Sequence, residues 1–201
     1  KDLESIDNKN IKVLPGPCMG RCDVAPTVCV GKNYVDNASA SKVQEVINGK
    51  NFEAVIPSYI SLDEYKKNGG YKIVNQIRIG EITDRQIIDL LKNSGLKGKG
   101  GAGFPTGMKW EIVSKYDGKK YVAVNGDEGE PGTFKDRTYL EKDPHRFLEG
   151  ALIASLFLEA ANVYIYMRDE YPSVIKILND EILKLEKENI IPKDHFILRR
   201  G

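Results

Sequence analysis

The sequence predicts an α/β fold built on a parallel sheet. Three short apolar runs with strand-like composition lie at residues 121–124, 163–167 and 195–198. Two helical segments, 146–161 and 172–185, separate these runs. Strands that alternate with helices pair in parallel through right-handed crossovers, and ligands of such sheets lie beyond the carboxyl ends of the strands. The loop that follows the first strand is therefore a candidate binding site.

The two helices of this region differ in their predicted surroundings. Residues 146–161 are apolar on most sides, which indicates a helix that is covered by protein. The second helix has Pro172 in its first turn, a position that proline favours. Its apolar residues recur at helical spacing: Val174, Ile177, Leu178, Ile182 and Leu185.

A third helix is predicted upstream of the sheet. Thr83 is expected to be its N-cap and Gly95 its C-terminal stop. Its buried side is expected to consist of Ile87, Ile88, Leu90 and Leu91. One or two further helical turns are predicted at 109–114.

The sequence of the N-terminal part of the chain predicts a small separate unit. A short strand is expected at 11–14, a β-rich run at 27–30, and a helix at 41–47. This unit has too few apolar residues to be a stable domain alone. Residues 48–70 are irregular and predict a linker that wraps around the neighbouring domain.

Composition limits the classes of partner and compartment. The net charge of +1 gives no indication of nucleic acid or an anionic membrane as partner. We find no apolar run long enough to span a membrane, and the first ten residues do not resemble a signal peptide. Three unevenly spaced cysteines do not make a disulfide framework, so they are expected to be free or metal-bound in a reducing cytoplasm.

Residues 98–110, GKGGAGFPTGMKW, form a glycine-rich loop with two lysines. Glycine amides can converge on an anion, and flanking lysines supply counter-charge, so the pattern favours a phosphate. The spacing formally matches G-x-G-x-x-G, but that fingerprint requires a preceding strand, and a helix is predicted here. A P-loop is excluded because no Gly-Lys-Ser/Thr follows. A flexible linker is the alternative, and Phe104, Pro105, Met108 and Trp110 argue against it.

Residues 124–137, VNGDEGEPGTFKDR, form an acidic loop in which Asp127, Glu128 and Glu130 lie close together. Such carboxylates repel one another unless a cation, a donor or water accepts them. A solvated turn and a calcium site are two interpretations, although the spacing does not match an EF-hand. In a third, the carboxylates accept hydrogen bonds from the ribose hydroxyls or ring N–H groups of a nucleotide. The glycine-rich loop in the same domain favours this third interpretation.

These two motifs, followed by PHRFLEG and VYIYMRDEY, resemble a known family. They are similar to the flavoprotein (NADH-binding) subunit of respiratory complex I and to the diaphorase subunits of NAD-linked hydrogenases and formate dehydrogenases. The resemblance extends from Val74 to Gly201. It implies an FMN-dependent NADH dehydrogenase with a Rossmann-like flavin domain, which passes electrons to iron–sulfur centres on neighbouring subunits. FMN and NAD(H) are the implied cofactors.

The resemblance also implies a set of binding residues. Phe104 is expected to stack on the nicotinamide dinucleotide, Asn125 and Asp127 to hold the flavin, and Glu128 and Glu130 to face the dinucleotide. In the glycine-rich loop, the implied cofactor-binding residues are Gly98, Gly100, Gly101, Ala102, Gly103, Gly107 and Lys109. Hydride transfer belongs to the flavin itself, so no side chain is expected to act as a catalytic nucleophile or base.

Two departures from the family pattern are evident. Ile112 stands where a second family aromatic contacts the adenine. The chain also ends at Gly201, where the family continues into another flavin loop and then a cysteine-bound iron–sulfur domain. The sequence is therefore expected to be a piece of a longer subunit, whose complete form would contain [4Fe–4S] and [2Fe–2S] clusters. Lys97 and Lys99 leave the choice between NAD and NADP open.

The N-terminal segment CMGRCDVAP resembles the second half of a thioredoxin-like [2Fe–2S] ferredoxin domain. Such a cluster needs four thiolates, and only Cys18 and Cys22 match the pattern. The pair could be structural, could share a cluster with other residues, or could have lost it; we expect an empty site. The expected organisation is a partial ferredoxin unit (1–47), a linker (48–73) and the first part of an FMN/NADH-binding domain (74–201).

The leading hypothesis is thus an NADH-oxidising electron-transfer module. One alternative is a non-catalytic interaction or scaffold piece without bound flavin, and another is a pyridine-nucleotide binder without flavin. The histidines His145 and His195 have no ligand-like neighbours in sequence and are expected to be surface or capping groups.

Overall fold

The computed structural model of the chain describes residue 3 and residues 10–201. Its strands are β1 (Val28–Val30), β2 (Asn33–Val35), β3 (Val122–Gly126), β4 (Val163–Met167) and β5 (Phe196–Arg200). Its helices are α1 (Ala40–Asn48), α2 (Leu62–Lys67), α3 (Lys72–Arg78), α4 (Asp84–Asn93), α5 (Thr106–Ser114), α6 (Lys135–Lys142), α7 (Pro144–Leu158) and α8 (Pro172–Lys187). A short 3-10 turn at Cys22–Val24 precedes β1.

The main sheet is parallel and has the order β3-β4-β5. Val124 pairs with Ile165, and Ile165 pairs with Leu198, so the three carboxyl ends lie at one edge. Helices α6 and α7 connect β3 to β4, and α8 connects β4 to β5. This arrangement confirms the predicted α/β class and the parallel pairing.

One face of this sheet carries the main core. Val163, Ile165 and Met167 of β4 are fully buried, as alternation along a strand requires. The α7 and α8 residues in the same apolar cluster include Leu148, Leu152, Val174, Leu178 and Leu185. The opposite face is less covered, since Tyr166 of β4 is 39% exposed. The predicted helical spacing of α8 is confirmed by burial of its apolar residues.

A second apolar cluster joins α4 and α5 to α7. Trp110 of α5 stacks on Phe157 of α7 with ring centroids 5.6 Å apart. Ile87 and Ile88 of α4 are buried in the same cluster. This packing fixes the two helices that flank the glycine-rich loop against the helix that covers β3.

The N-terminal unit consists of the antiparallel β1–β2 pair and α1. Val35 and Val43 form its small core. The unit contacts the rest of the chain through hydrogen bonds: the Tyr34 hydroxyl donates to the Glu170 carbonyl at 2.7 Å, and Arg137 Nε donates to the Gly20 carbonyl at 2.8 Å. Because the unit has so few apolar side chains, these hydrogen bonds to the rest of the chain contribute to its stability.

The structure confirms some of the predicted helix and strand boundaries and contradicts others. Thr83 is confirmed as the N-cap of α4, where it forms a capping box with Gln86. The expected strand at 11–14 is wrong, since only residue 11 makes an isolated bridge. Leu90 is 64% exposed rather than buried, because it lies on the outer side of α4. The segment expected to be irregular contains α2, and α3 and α6 were also missed.

His145 is buried, so the expectation that it is a surface or capping group is wrong. Its Nε2 lies 2.8 Å from the Glu181 carboxylate, and its Nδ1 lies 3.0 Å from the Tyr71 hydroxyl. Glu181 also accepts a hydrogen bond from the Tyr59 hydroxyl at 2.7 Å. This polar network ties the segment before α2 to α7 and α8. Burial lowers the pKa of His145, which favours a neutral ring.

Among the described residues, no helix combines the length and the apolar character that crossing a membrane requires.

Candidate functional site

The glycine-rich loop is closed at its base by backbone contacts. Lys97 and Pro105 form an isolated antiparallel bridge. The Gly98 amide donates to the Phe104 carbonyl at 2.9 Å, and the Thr106 amide donates to the Leu96 carbonyl at 2.9 Å. The end of α4 and the start of α5 are thereby joined, and residues 99–104 form the largely exposed tip of the loop.

The tip presents unused hydrogen-bond donors. In the part of the chain that the structure describes, the backbone amides of residues 99–104 donate to no other protein group. Gly101 and Gly103 have positive φ angles of 110° and 63°, which only glycine adopts readily. A Cβ added at Gly100, Gly101 or Gly103 would meet nothing within 4 Å, so the space around the tip is open.

Two exposed lysines accompany these amides. Lys99 and Lys109 take part in no ion pair with any of the described residues. Free amides and free ammonium groups on one loop are the donor set that suits a phosphate group. The phosphate interpretation of the sequence is therefore compatible with the geometry, while the linker interpretation does not account for the closed base.

Gly107 has a different explanation from the glycines of the tip. It is buried at the start of α5, and a Cβ there would lie 2.9 Å from the Lys92 amide nitrogen and 3.1 Å from the Leu91 Cβ. Close packing of α5 on the end of α4 therefore requires glycine at this position. A contact with a ligand is not needed to account for it.

The acidic loop begins where β3 ends, at the edge of the sheet at which ligands of parallel sheets bind. The Asn125 side-chain oxygen accepts the Asp127 amide at 3.0 Å and so turns the chain out of the strand. At Gly126 a Cβ would lie 2.4 Å from the Met167 sulfur, so only glycine fits beside β4. Asp127 and Glu130 are exposed, and neither is ion-paired within the described chain.

Glu128 is directed into the protein rather than toward the open side of the loop. It is 5% exposed, and its carboxylate accepts the Asp136 amide at 2.9 Å, the Arg137 amide at 3.2 Å and the Tyr171 hydroxyl at 3.1 Å. These amides belong to the first turn of α6, whose N-terminus favours a negative charge. We expected Glu128 to face a dinucleotide, but in the structure its carboxylate is buried against α6 and Tyr171.

Two residues that hold the acidic loop were missed from the sequence. Arg168 follows β4 directly, and its guanidinium donates to the carbonyls of Glu128 and Cys18. Tyr171 lies just before α8, and burial raises its pKa, so its hydroxyl remains a donor. Arg168 could have been identified from the sequence by its position directly after the predicted strand 163–167, because ligands of parallel sheets bind at the carboxyl ends of the strands.

The two loops are connected through packed helices. The glycine-rich loop leads into α5, which packs on α7, and α7 covers β3, from whose end the acidic loop emerges. No hydrogen bond or ion pair between described residues joins one loop to the other. A ligand that bound the donors of the glycine-rich loop and the carboxylate acceptors of the acidic loop would therefore bridge them.

Cys18 and Cys22 lie beside the acidic loop. Their sulfur atoms are 3.8 Å apart, and the Cys22 sulfur accepts the Gly132 amide at 3.2 Å. The third thiol, Cys29, instead donates to the Gly31 carbonyl at 3.2 Å. Throughout the described residues, no group of three or more His, Cys, Asp or Glu side chains could hold a metal ion. Two thiols do not fit a [2Fe–2S] cluster, which needs four protein ligands.

Comparison with known proteins decides the family. A family profile described as the Nuo51 FMN-binding domain matches residues 91–197, which is more than half of the chain and includes both loops. The chain belongs to the Nuo51 FMN-binding domain family. The match runs from the end of α4 to β5, so the family resemblance inferred from the motifs is confirmed.

Curated relatives of this Nuo51 domain are partial-length matches. An NADH-quinone oxidoreductase subunit of Aquifex aeolicus is 44% identical over 138 residues, which cover 69% of this chain and 32% of that protein. An NADH-quinone oxidoreductase subunit of Rhizobium meliloti is 42% identical over 137 residues, which cover 68% and 32% respectively. The chain thus spans about a third of the length of the curated relatives it matches.

A solved structure resembles a larger part of the chain. An NAD+-reducing [NiFe]-hydrogenase in its H2-reduced state has a chain that aligns with a TM-score of 0.72 at 25% identity. The alignment covers 92% of this chain and 35% of the hydrogenase chain. The similarity therefore extends beyond the Nuo51 match into the N-terminal unit.

Proposed function

We propose that the chain forms the FMN- and NADH-binding part of an oxidoreductase module that oxidises NADH and passes electrons to iron–sulfur centres. The observation that carries the proposal is the set of backbone amides at residues 99–104 that have no partner among the described residues, next to two lysines with no ion pair to those residues. A backbone stretch of this length without internal partners is suited to binding an anion. The relatives are named as NADH-quinone oxidoreductase subunits and as an NAD+-reducing hydrogenase, which supports this ligand class.

The residues fit FMN by the chemistry of their donors and acceptors. The tip amides and Lys109 would hold the phosphate, and the Asn125 amide group and Asp127 carboxylate would hold the polar edge of the flavin. Glu130 would accept hydrogen bonds from NADH, and the half-exposed ring of Phe104 would stack on it. When bound, FMN supplies hydride acceptance and one-electron release, so the protein's work is to bind and orient.

Glu128 has a positioning role in this proposal. Its buried carboxylate fixes the start of α6 and, through Tyr171, the start of α8. The exposed residues on either side of it, Asp127 and Glu130, are thereby held at the open edge of the sheet. We therefore assign ligand contact to Asp127 and Glu130 and remove Glu128 from the contact set.

The wider context of the module is also proposed. We place it in a multi-subunit redox complex whose iron–sulfur subunits accept the electrons, since the relatives are named as subunits. A cytoplasmic location is supported by three free cysteines among the described residues. We keep the division into a ferredoxin-like unit (1–47), a linker (48–73) and a flavin domain (74–201) as a proposal.

Charge reversal tests the proposal against the scaffold alternative. The chain carrying Lys109→Glu with Asp127→Lys is expected to lose FMN binding, measured by quenching of flavin fluorescence. A matched control, Lys193→Glu with Asp117→Lys, reverses the same charges on exposed residues outside both loops and should bind like the unmodified chain. Equal FMN binding by both variants would contradict the assignment of Lys109 and Asp127 as contacts. Absence of both FMN and NADH binding in the unmodified chain would favour a scaffold, and NADH binding without any FMN binding would favour the flavin-free alternative.

A further inference from the structure

The segment that contains Cys18 and Cys22 is anchored on the acidic loop at two points. The Cys22 sulfur accepts the Gly132 amide at 3.2 Å. The Cys18 carbonyl accepts a hydrogen bond from Arg168, whose other terminal nitrogen donates to the Glu128 carbonyl. Each cysteine therefore has its own connection to residues 128–132, Cys22 through its sulfur and Cys18 through its backbone carbonyl.

The two thiols are placed to react with each other. Their sulfurs are 3.8 Å apart, so forming a disulfide requires an approach of about 1.8 Å, to a bond of about 2.05 Å. Cys22 is exposed and Cys18 is partly buried, so a soluble reagent meets Cys22 first. Gly20 between them has a positive φ of 62° and lies in a bend of the chain.

We propose that Cys18 and Cys22 form a dithiol–disulfide site whose redox state is sensed by the acidic loop. The oxidant is a low-molecular-weight disulfide of the glutathione class. Among the described residues, the donor set near the pair consists of two thiols, whereas a [2Fe–2S] cluster needs four ligands.

The exchange proceeds in two balanced steps. The Cys22 thiolate attacks one sulfur of glutathione disulfide, that S–S bond breaks, and one glutathione thiolate leaves. The Cys18 thiolate then attacks the Cys22 sulfur of the mixed disulfide, and the second glutathione leaves. The protein pair is oxidised by two electrons, glutathione disulfide is reduced to two thiols, and the two cysteine protons end on glutathione.

Oxidation should loosen the acidic loop. Drawing the Cys22 sulfur toward Cys18 removes it from the Gly132 amide, which then exchanges its hydrogen more freely. Loss of one hydrogen bond of ordinary strength corresponds to faster exchange by between about twofold and about tenfold. Cys29 points to the Gly31 carbonyl in β1–β2 and takes no part, so it provides a matched control.

The experiment equilibrates the whole chain with mixtures of reduced and oxidised glutathione, traps free thiols by alkylation and measures intact mass. We expect one Cys18–Cys22 disulfide in the unmodified chain and in Cys29→Ser, reversed by dithiothreitol. In Cys18→Ser the reaction should stop at a glutathione adduct on Cys22. No nucleotide is present, so this outcome is independent of the proposed function.

Three results would overturn the inference. The first is a stable glutathione adduct on the unmodified chain without an internal disulfide. The second is assembly of an iron–sulfur chromophore on Cys18 and Cys22 when the reduced chain is supplied with iron and sulfide under anaerobic conditions. The third is unchanged exchange at Gly132 between reduced and oxidised forms of the unmodified chain, which would remove the link to the acidic loop.

Discussion

The Tyr171 hydroxyl donates to the buried Glu128 carboxylate at 3.1 Å, across the carboxyl end of the parallel sheet. The same carboxylate accepts the amides of Asp136 and Arg137 in the first turn of α6. One side chain of the acidic loop is thus bonded to both helical connections that leave this edge. The exposed carboxylates beside it occupy defined positions because Glu128 is fixed.

Tyr171→Phe is expected to destabilise the chain by about 1 kcal/mol, since it removes one hydrogen bond to a buried carboxylate and leaves the ring in place. The measurement is the free energy of unfolding in urea. Tyr116→Phe provides the control, because Tyr116 is 67% exposed and should change stability by less than about 0.5 kcal/mol. Equal stability of both variants would contradict the assigned role of Tyr171.

Two glycine-to-alanine variants should separate folding from binding. Gly126→Ala places a methyl group 2.4 Å from the Met167 sulfur and 2.8 Å from the Tyr166 carbonyl oxygen, and should destabilise the chain by about 1–3 kcal/mol. Gly100→Ala enters open space, so the free energy of unfolding should stay within about 0.5 kcal/mol. It should nevertheless weaken FMN binding, because the methyl group obstructs close approach to the tip amides. An unaffected affinity in Gly100→Ala would argue against a ligand at the tip.

The buried His145 predicts a loss of stability in acid. Burial lowers its pKa, so the unfolded chain, in which histidine titrates near about 6.5, binds this proton more readily than the folded chain does. The stabilisation is complete above about pH 6.5 and is lost as the pH falls through the folded pKa.

Unfolding in urea at a series of pH values should show this decline. Titration of each histidine by NMR distinguishes His145 from His195, whose pKa burial also lowers. A His145 midpoint at or above that of an unfolded peptide would contradict the neutral buried ring.

Phe104→Ala is expected to weaken NADH binding more than FMN binding, because an exposed aromatic face contributes most to stacking on a planar ring. Phe104 is 47% exposed, so the substitution should leave stability nearly unchanged. Separate titrations with FMN and with NADH measure the two affinities. Equal losses for both ligands would remove the case for stacking on the dinucleotide.

Glu130→Gln should alter the kinetics of NADH oxidation by a flavin-loaded protein while the bound flavin content stays the same. The reason is that Glu130 is exposed and unpaired in the described chain, so its charge is available to the substrate. Asp117→Asn, which neutralises an exposed carboxylate outside both loops, is the control. Kinetics that match the control would return Glu130 to the solvated-turn interpretation.

The sequence was most informative where periodicity and burial agree. The bounds of β4 were predicted as observed, and α8 was recognised because its apolar residues repeat at helical spacing over several turns. The glycine-rich and acidic loops were found because their composition is unusual for loops. Local patterns of this kind do not depend on which other segments pack nearby.

The missed features depend on contacts between distant segments. Helix α6 is mostly polar, and its stability comes from Glu128 at its N-terminus and from Arg137, which bonds to Gly20 and Asp23 of the N-terminal unit. Arg168 and Tyr171 acquire their roles only when β4 pairs with β3. For the same reason, the orientation of Glu128 could not be told from that of Asp127 by sequence alone.

The central claim is that the backbone amides of residues 99–104 and the side chains of Asn125 and Asp127 in the acidic loop bind the same FMN. The direct measurement is an NMR titration of the chain with FMN, in which the backbone amides of both loops are followed. The account predicts that both loops shift with one common midpoint and saturate at one FMN per chain. Shifts confined to one loop, or two different midpoints, would contradict it.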